Sequence, residues 1–370
     1  MKAKLLQFFK GETVLCISAL CAAVSACFVR PSAAYLDYID IRILCLLFCL
    51  MALISGFQKC GVFRLLAQSL LSRQKTVRGL AAVLILLPFF CSMLITNDVA
   101  LITFVPFALL VLQLSGHMEH APLIIVLQTV AANLGSMTMP FGNPQNLFLY
   151  GNYGLSAGDF FSVMVPLALA SLICLALCSL LIKKEPVSVH FTAQESLQYP
   201  WLFFLCGVLF LMSLLSVFHV VHYALTTVLV AVFLGLLSRD LLKQVDYGLL
   251  LTFVCFFIFA GNIGEIPVIR QALSQVMEKS ALFTSILASQ VISNVPAAVL
   301  LSGFSDNWRD LLAGTNIGGL GTPIASLASL ISLKLYIKSE SARPGTYLSL
   351  FAAANLTGLL LLTGLYLLMF

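Results

Sequence analysis

Two short polar stretches interrupt a chain that is otherwise apolar, and both carry groups able to bind an ion or a small anion. The first contains Thr96, Asn97 and Asp98, and Asp98 is the only charged residue between Arg78 and Glu119. A carboxylate inside a bilayer costs several kcal/mol unless it faces protein, water or an ion, so it marks a candidate functional site. The alternative is an ordinary turn outside the membrane that joins two spanning helices.

The second polar stretch repeats this pattern, with a hydroxyl residue followed by asparagine between two apolar runs. Its residues are Ser293, Asn294, Val295 and Pro296. The apolar arms, 281–292 and 297–304, are shorter than the ~20 residues that a spanning helix needs. We therefore expect a re-entrant hairpin at 280–304, which is tolerated at membrane depth only where protein or a water-filled cavity surrounds it. The parallel favours a second buried hairpin at 78–113.

Each predicted hairpin is followed by an apolar helix that glycine and proline interrupt. The interruptions read AANLGSMTMPFGNPQN at 131–146 and GTNIGGLGTPIASLAS at 314–329. Glycine weakens a helix and proline prevents its continuation, so the helices at 121–152 and 309–336 are predicted to break within the membrane. Broken helices expose carbonyl oxygens that suit Na⁺ and N–H groups that suit an anion. The alternative for the glycines is close helix packing.

These features give two sets of candidate site residues, because amides both donate and accept hydrogen bonds and hydroxyls add further ligands. The candidates for substrate binding are Thr96, Asn97, Ser293, Asn294, Val295, Pro296, Asn143 and Thr322. The candidates for Na⁺ sites are Asp98, Asn97, Asn133, Gly135, Ser136, Asn294, Asn316 and Gly318. Val295 stands at the place that matches Asp98, so the carboxylate has no counterpart; a cation ligand and a proton carrier are its two possible roles.

The elements that must position these residues are membrane helices. Among 370 residues, 61% are hydrophobic and 9% are charged, and the mean hydropathy is +1.04. Such a chain has too many long apolar runs for one aqueous core, so we expect an all-α polytopic membrane protein. Nine crossings are predicted in addition to the hairpins, at 13–30, 40–57, 121–152, 160–182, 201–217, 219–237, 246–262, 309–336 and 346–369. Short amphipathic helices at the membrane interface are predicted at 58–75 and 266–278.

The distribution of basic residues predicts the orientation. With the N-terminus in the cytoplasm, 15 of the 20 lysines and arginines lie on the cytoplasmic side, as the positive-inside rule requires. The C-terminus is then extracellular, and the expected location is the cytoplasmic membrane. The net charge of +5 follows from this topology and indicates no nucleic-acid partner.

Internal similarity divides the chain. Residues 43–72 parallel 249–278, and a hairpin and an interrupted helix follow in the same order each time. We expect a first repeat at 1–185, a linker helix with the start of the second repeat at 186–245, and the rest of the second repeat at 246–370. Matching spans are an odd number of crossings apart, so the repeats are inverted. Inverted repeats with paired broken helices are the sequence signature of secondary transporters.

Four segments also carry a resemblance to a known group. ITNDVAL, ANLGSMTMPFGNPQN, ISNVPAA and TNIGGLGTPIASLASL resemble the signature segments of the ion transporter superfamily, which holds citrate and dicarboxylate symporters, arsenite permeases and sodium/proton antiporters. The resemblance implies a scaffold, a mobile transport domain with both hairpins, an elevator movement and commonly a homodimer. It also implies that 96–98 and 293–295, where the dicarboxylate branch has Ser-Asn-Thr, bind substrate carboxylate and sodium.

The resulting expectation is an ion-coupled secondary transporter. It would move a small anion, a di- or tricarboxylate or an inorganic oxyanion, with Na⁺ or H⁺ as the coupling ion and without another cofactor. The same-class alternative is an arsenite efflux permease or a sodium/proton antiporter, and the different-class alternative is an ion channel. An enzyme is not expected, because the sequence has no HExxH, no paired intramembrane carboxylates and no Ser/His dyad.

Overall fold

A computed structural model describes residues 13–33, 35–187, 195–339 and 341–370. In this part of the chain the regular structure is helical, apart from one bridge between Thr76 and Pro186. The first helices are α1 (Thr13–Phe28), α2 (Tyr35–Tyr38), α3 (Ile41–Lys59), α4 (Val62–Leu71), α5 (Val77–Ser92), α6 (Asn97–Leu114), α7 (Ala121–Ser136), α8 (Pro144–Asn152) and α9 (Ala157–Ser179). The remaining helices are α10 (Pro200–Val217), α11 (Tyr223–Leu237), α12 (Arg239–Lys243), α13 (Tyr247–Glu265), α14 (Pro267–Lys279), α15 (Ala281–Ile292), α16 (Asn294–Leu301), α17 (Trp308–Ile317), α18 (Leu327–Ile337) and α19 (Pro344–Met369).

The helical bounds follow the apolar runs of the sequence, which confirms the prediction of a polytopic helical protein. Six helices of the described residues are long and apolar enough to cross a membrane: α3, α6, α9, α10, α13 and α19. The predicted spans at 13–30 and 219–237 form the shorter helices α1 and α11, of 16 and 15 residues. Two predictions fall partly outside the described residues. The orientation rests in part on basic residues that precede Thr13, and the linker predicted at 186–245 includes 188–194, which are not described.

Both predicted hairpins form pairs of helices with a short connection, but their lengths differ. In the first pair, α5 and α6 have 16 and 18 residues, or ~24 and ~27 Å of helix. In the second pair, α15 and α16 have 12 and 8 residues, or ~18 and ~12 Å. The second pair is thus much shorter than the ~30 Å hydrocarbon core, whereas the first approaches it.

Both interrupted helices break where glycine and proline predicted a break. Helix α7 ends at Ser136, and α8 begins at Pro144 after seven residues without helix. Asn143 caps α8, because its side chain accepts a hydrogen bond from the Asn146 amide, and proline is favoured at the first helical position because it needs no amide partner. In the second case α17 ends at Ile317 and α18 begins at Leu327.

The two hairpins and the two broken helices pack crosswise. Each hairpin lies against the first half of the broken helix that follows it, α5 and α6 against α7 and α15 and α16 against α17. In addition, α6 packs against α18 and α16 packs against α8. Each hairpin therefore contacts the first half of the broken helix in its own predicted repeat and the second half of the broken helix in the other repeat.

Candidate functional site

Hydrogen bonds join the first hairpin tip to the first broken helix, and that helix to the second broken helix. Asn97 Nδ2 donates to Asn133 Oδ1 at 2.9 Å. Ser326 Oγ donates to the same oxygen at 3.0 Å, and Asn133 Nδ2 donates to Ser329 Oγ at 3.3 Å. All four side chains are buried. The amide of Asn133 is thus used on both its donor and its acceptor side, as a buried polar group requires.

A second buried network surrounds Asn316 in the other broken helix. Asn143 Nδ2 donates to Asn316 Oδ1 at 3.0 Å, and Asn316 Nδ2 donates to Asn146 Oδ1 at 2.6 Å. Asn143 Nδ2 also lies 3.3 Å from Ser136 Oγ, to which it donates. This network joins the end of α17 to the start of α8.

The two networks are equivalent when the interruptions at 131–146 and 314–329 are matched position by position. Asn133 then corresponds to Asn316, and the pair Ser326 and Ser329 corresponds to Asn143 and Asn146. In each case the asparagine in the last turn of the half-helix accepts from the first member of the pair and donates to the second. Each asparagine takes its pair from the opposite broken helix, so the hydrogen bonds are reciprocal.

The glycines of the two breaks have equivalent neighbours as well. A Cβ on Gly135 would overlap the carbonyl oxygen of Phe89 and come within 2.5 Å of Ser92 Oγ. A Cβ on Gly318 would lie 2.8 Å from Ser289 Oγ. Ser92 and Ser289 each stand five residues before the asparagine of their hairpin tip. Both glycines therefore permit close contact between a broken helix and its hairpin, which is the packing role that the sequence left as an alternative.

Four helices begin within this region, at Asn97, Pro144, Asn294 and Leu327. The first-turn amides of a helix lack intrahelical partners and carry a partial positive charge. The residues that precede α6, α16 and α18 make no side-chain capping bond to these amides, whereas Asn143 caps α8. A gathering of helix N-termini favours a bound anion.

The second hairpin tip is attached differently from the first. Asn294 donates its backbone N–H to the Ala325 carbonyl at 2.9 Å, and Ser293 Oγ donates to the same oxygen at 3.3 Å. Ser293 has a φ of 73°, a left-handed conformation that a non-glycine residue adopts rarely. The side chain of Asn294 lies against Gly319, because a Cβ there would be 2.8 Å from its Nδ2. Asn294 thus reaches the second break, as Asn97 reaches the first.

Asp98 lies beside this network without joining it. Its backbone N–H donates to Asn97 Oδ1 at 3.1 Å. Its own Oδ1 is buried and has no hydrogen-bond partner. A buried carboxylate oxygen without a partner is costly, so the position suits a bound cation or a proton.

The structure brings together most of the predicted site residues. Asn97, Asn133, Ser136, Asn143 and Asn316 join the hydrogen-bond networks described above. The other predicted residues that lie at the tips or breaks are Thr96, Asp98, Gly135, Ser293, Asn294, Val295, Pro296 and Gly318.

Thr322 differs from the other candidates because it is exposed. Its hydroxyl donates to the Gln290 carbonyl at 3.2 Å and its N–H to Gln290 Oε1 at 2.9 Å. Gln290 Nε2 in turn donates to the carbonyls of Gly318 and Leu320, at 2.8 and 3.0 Å. Thr322 and Gln290 therefore hold the second break against its hairpin.

Sequence reasoning missed four residues of these networks: Asn146, Gln290, Ser326 and Ser329. Three of them had a signal in the sequence, because the register that pairs Asn133 with Asn316 also pairs Asn143 with Ser326 and Asn146 with Ser329. Gln290 had no such signal, because the matching position of the first hairpin is occupied by Met93 rather than by a polar residue.

Three cavities flank the hairpins. One of about 430 Å³ is almost wholly apolar and includes Leu94 and Ile95, just before the first tip. One of about 660 Å³ lies between α4 and α6 and includes Arg64 and Thr103. The third, of about 500 Å³, includes Glu265 and the end of α16. The asparagines of the two networks line none of these three cavities.

Comparison with known proteins assigns the chain to a family. The family model described as citrate transporter matches residues 6–305. The chain belongs to the citrate transporter family. This agrees with the resemblance noted in the four signature segments, and family membership indicates a membrane transporter rather than an enzyme.

Individual relatives are also transporters or membrane proteins by name. An uncharacterized transporter of Methanocaldococcus jannaschii is 32% identical over 82% of this chain and 82% of its own length. The inner membrane protein YbiR of Escherichia coli is 33% identical over 77% of each chain. The silicon efflux transporter LSI3 of Oryza sativa is 33% identical over 36% of this chain and 27% of its own length.

Proposed function

We propose that this citrate transporter family member is a secondary active transporter that moves a small anion across the cytoplasmic membrane together with Na⁺ or H⁺. The anion class is a di- or tricarboxylate or an inorganic oxyanion. The observation that carries the proposal is the reciprocal pair of networks around Asn133 and Asn316. Two equivalent polar centres, each built from both broken helices, are what an inverted-repeat transporter requires at its midplane.

The proposed substrate position lies between the two hairpin tips. Asn97 and Asn294 each begin a helix there, and their amides offer both donors and acceptors. The N-termini of α6, α16 and α18 add positive potential, which favours an anionic substrate. Thr96 and Ser293, which precede those asparagines, supply hydroxyl groups.

The proposed coupling cation is held at the first tip. The buried Asp98 Oδ1 has no hydrogen-bond partner, and α7 ends nearby at Ser136, where a helix end leaves carbonyl oxygens without intrahelical partners. Na⁺ is a hard cation that prefers oxygen ligands, and a proton on the carboxyl would satisfy the same oxygen. No carboxylate matches Asp98 in the second hairpin, so the two centres would differ in charge.

The proposed movement is alternating access by two inverted repeats. In this arrangement both hairpins are re-entrant. The N-terminus is cytoplasmic and the C-terminus is extracellular, an orientation that the distribution of basic residues favours. The crosswise packing of α6 against α18 and of α16 against α8 supports a single mobile unit that contains both hairpins and both breaks. An elevator movement of this unit within a homodimer is part of the proposal.

A second candidate is an exchanger or efflux permease of the same superfamily. Asp98 favours it, because a buried carboxylate can bind a cation and a proton in turn. Relatives named silicon efflux transporter and putative transporter arsB point in the same direction. A channel is disfavoured, because a channel lines one continuous pore and the tips here end within packed protein.

The test is transport into proteoliposomes that contain the purified chain. Labelled citrate, succinate, phosphate and arsenite are offered under an imposed inward Na⁺ gradient, an imposed pH gradient, or neither. The proposal expects saturable uptake of at least one anion that depends on one gradient. Cation flux without anion flux would favour the exchanger, and flux that does not saturate and needs no gradient would contradict both carriers.

A further inference from the structure

A cluster of potential metal ligands lies outside the site described above, on the loop between α6 and α7. His117, Glu119 and His120 each offer one ligand atom, and these atoms all lie within 4.8 Å of one another. Glu119 and His120 lie in a short 3₁₀ turn, Met118–His120, and His117 directly precedes it. No function assigned above uses these three side chains.

The distances between the donor atoms match the coordination of a small ion. His117 Nδ1 lies 3.2 Å from Glu119 Oε1, and His120 Nε2 lies 3.6 Å from the same oxygen. Zinc–nitrogen and zinc–oxygen bonds of ~2.0–2.1 Å place neighbouring ligands of a tetrahedron ~3.3 Å apart. Two of the three edges therefore have nearly the required length before any ion is bound.

The backbone holds the turn in a defined conformation. Gly116 has a φ of 75°, His117 N–H donates to the Leu112 carbonyl at 2.9 Å, and Gly116 N–H donates to Gln113 at 3.2 Å. These bonds form a Schellman motif that ends α6. His120 N–H donates to the His117 carbonyl at 3.2 Å, so the two histidines are fixed relative to each other. The loop therefore loses less conformational entropy when it binds an ion.

We propose that His117, Glu119 and His120 form a binding site for a divalent transition-metal ion of the Zn²⁺ type. Two imidazoles and one carboxylate suit Zn²⁺ and similar ions, whereas Mg²⁺ and Ca²⁺ prefer oxygen ligands alone. Three protein ligands leave at least one position for water or another ligand. The side chains are reachable, because the two imidazoles are 18% and 23% exposed and the carboxylate is 52% exposed.

A bound ion would act on the helices that the loop connects. Helix α6 begins at Asn97 and α7 carries Asn133 near its end, and these two residues are hydrogen-bonded. The loop joins the opposite ends of the same two helices. Ligation by residues on both sides of the turn would fix the helix pair at both ends and stabilise the folded protein by mass action.

The test is metal titration of the full chain in detergent, after removal of any polyhistidine tag. Isothermal titration with ZnCl₂ should show one site, and the melting temperature should rise with Zn²⁺ but not with Mg²⁺. His117→Ala and His120→Ala should each weaken this site at least tenfold, while Glu119→Gln should weaken it less severely. The matched control is His219→Ala with His222→Ala, a second histidine pair on another loop, which should bind Zn²⁺ as the unaltered chain does.

Cobalt distinguishes this site from the chain's eleven cysteines. Co²⁺ bound by nitrogen and oxygen gives visible bands without the near-ultraviolet charge-transfer band of thiolate ligands. We expect the visible Co²⁺ bands without the thiolate charge-transfer band, and we expect His117→Ala to lose the visible bands. Equal Zn²⁺ affinity in His117→Ala and the unaltered chain would overturn the proposal, as would the absence of binding; the three residues would then be an ordinary surface ion pair.

Discussion

At the scale of single residues, the two asparagines in the last turns of α7 and α17, Asn133 and Asn316, organise the site. Asn133 and Asn316 each satisfy both sides of their amides with partners from the opposite broken helix. Loss of one such side chain leaves several buried groups without a partner, and each unpaired group costs ~1–3 kcal/mol. The equivalence of the two networks therefore has measurable consequences.

We expect Asn133→Ala and Asn316→Ala to lower the melting temperature by similar amounts and to reduce transport strongly. The measurements are thermal denaturation in detergent and initial uptake rates in proteoliposomes. Asn355→Ala is the control, because Asn355 is buried but donates only to the Phe351 carbonyl within its own helix. A large effect of one variant and none of the other would refute the equivalence.

In the proposed function the tip asparagines, Asn97 and Asn294, bind the substrate. Their variants should therefore lose transport without the loss of stability expected for Asn133→Ala and Asn316→Ala. Asn97→Ala and Asn294→Ala should each reduce uptake at least tenfold, because a donor and an acceptor at the substrate are lost, while expression and folding remain. Uptake and size-exclusion profiles are measured on the same preparations. Undiminished uptake by both variants would remove the tips from the substrate site.

The variant Asp98→Asn tests the proposed role of Asp98 in binding the coupling ion. In the symport proposal Asp98→Asn removes a cation ligand, so uptake at low cation concentration should fall more than uptake at saturating cation. The measurement is the uptake rate as a function of Na⁺ concentration and, separately, of pH. Equal losses of cation dependence and of substrate affinity at saturating cation would indicate a structural role for Asp98.

At the scale of helices, the sequence predicted most elements because apolar length and helix breakers are local properties. The bounds of α3, α9, α10 and α19 lie within three residues of the predicted spans. The first helix pair, from Val77 to Leu114, likewise lies within one residue of the hairpin predicted at 78–113. The register of the two interruptions marks Ser326 and Ser329 as counterparts of Asn143 and Asn146. It does not show that they bond to Asn133, because these contacts join residues nearly two hundred positions apart.

The close packing of breaks against hairpins gives a prediction at this scale. Gly135→Ala should destabilise the protein by ~1–3 kcal/mol, because its Cβ overlaps the Phe89 carbonyl and a backbone atom moves only with its helix. Gly318→Ala should act in the same direction. Gly207→Ala in α10, where a Cβ meets nothing within 4 Å, should leave stability unchanged or slightly improved. Thermal denaturation of the three variants checks the order.

At the scale of the whole molecule, the arrangement of hairpins in the bilayer decides how the site is reached. The second pair is shorter than two crossings need, with α16 spanning only ~12 Å. The first pair approaches the length of two crossings, but its tip is buried, since Asn97 is 5% exposed and hydrogen-bonded to Asn133. A tip packed inside the protein is what a re-entrant hairpin requires.

The re-entrant arrangement predicts how the tips react with membrane-impermeant maleimides. In a background without the native cysteines, Asn97→Cys should not label from the extracellular face, and Asn294→Cys should not label from the cytoplasmic face. Lys184→Cys and Asp306→Cys, both exposed, are the controls for the cytoplasmic and extracellular faces of the proposed topology. If position 97 labelled from outside as readily as position 306, α5 and α6 would be two ordinary crossings joined by a surface turn, and the first tip could not share a buried site with the second.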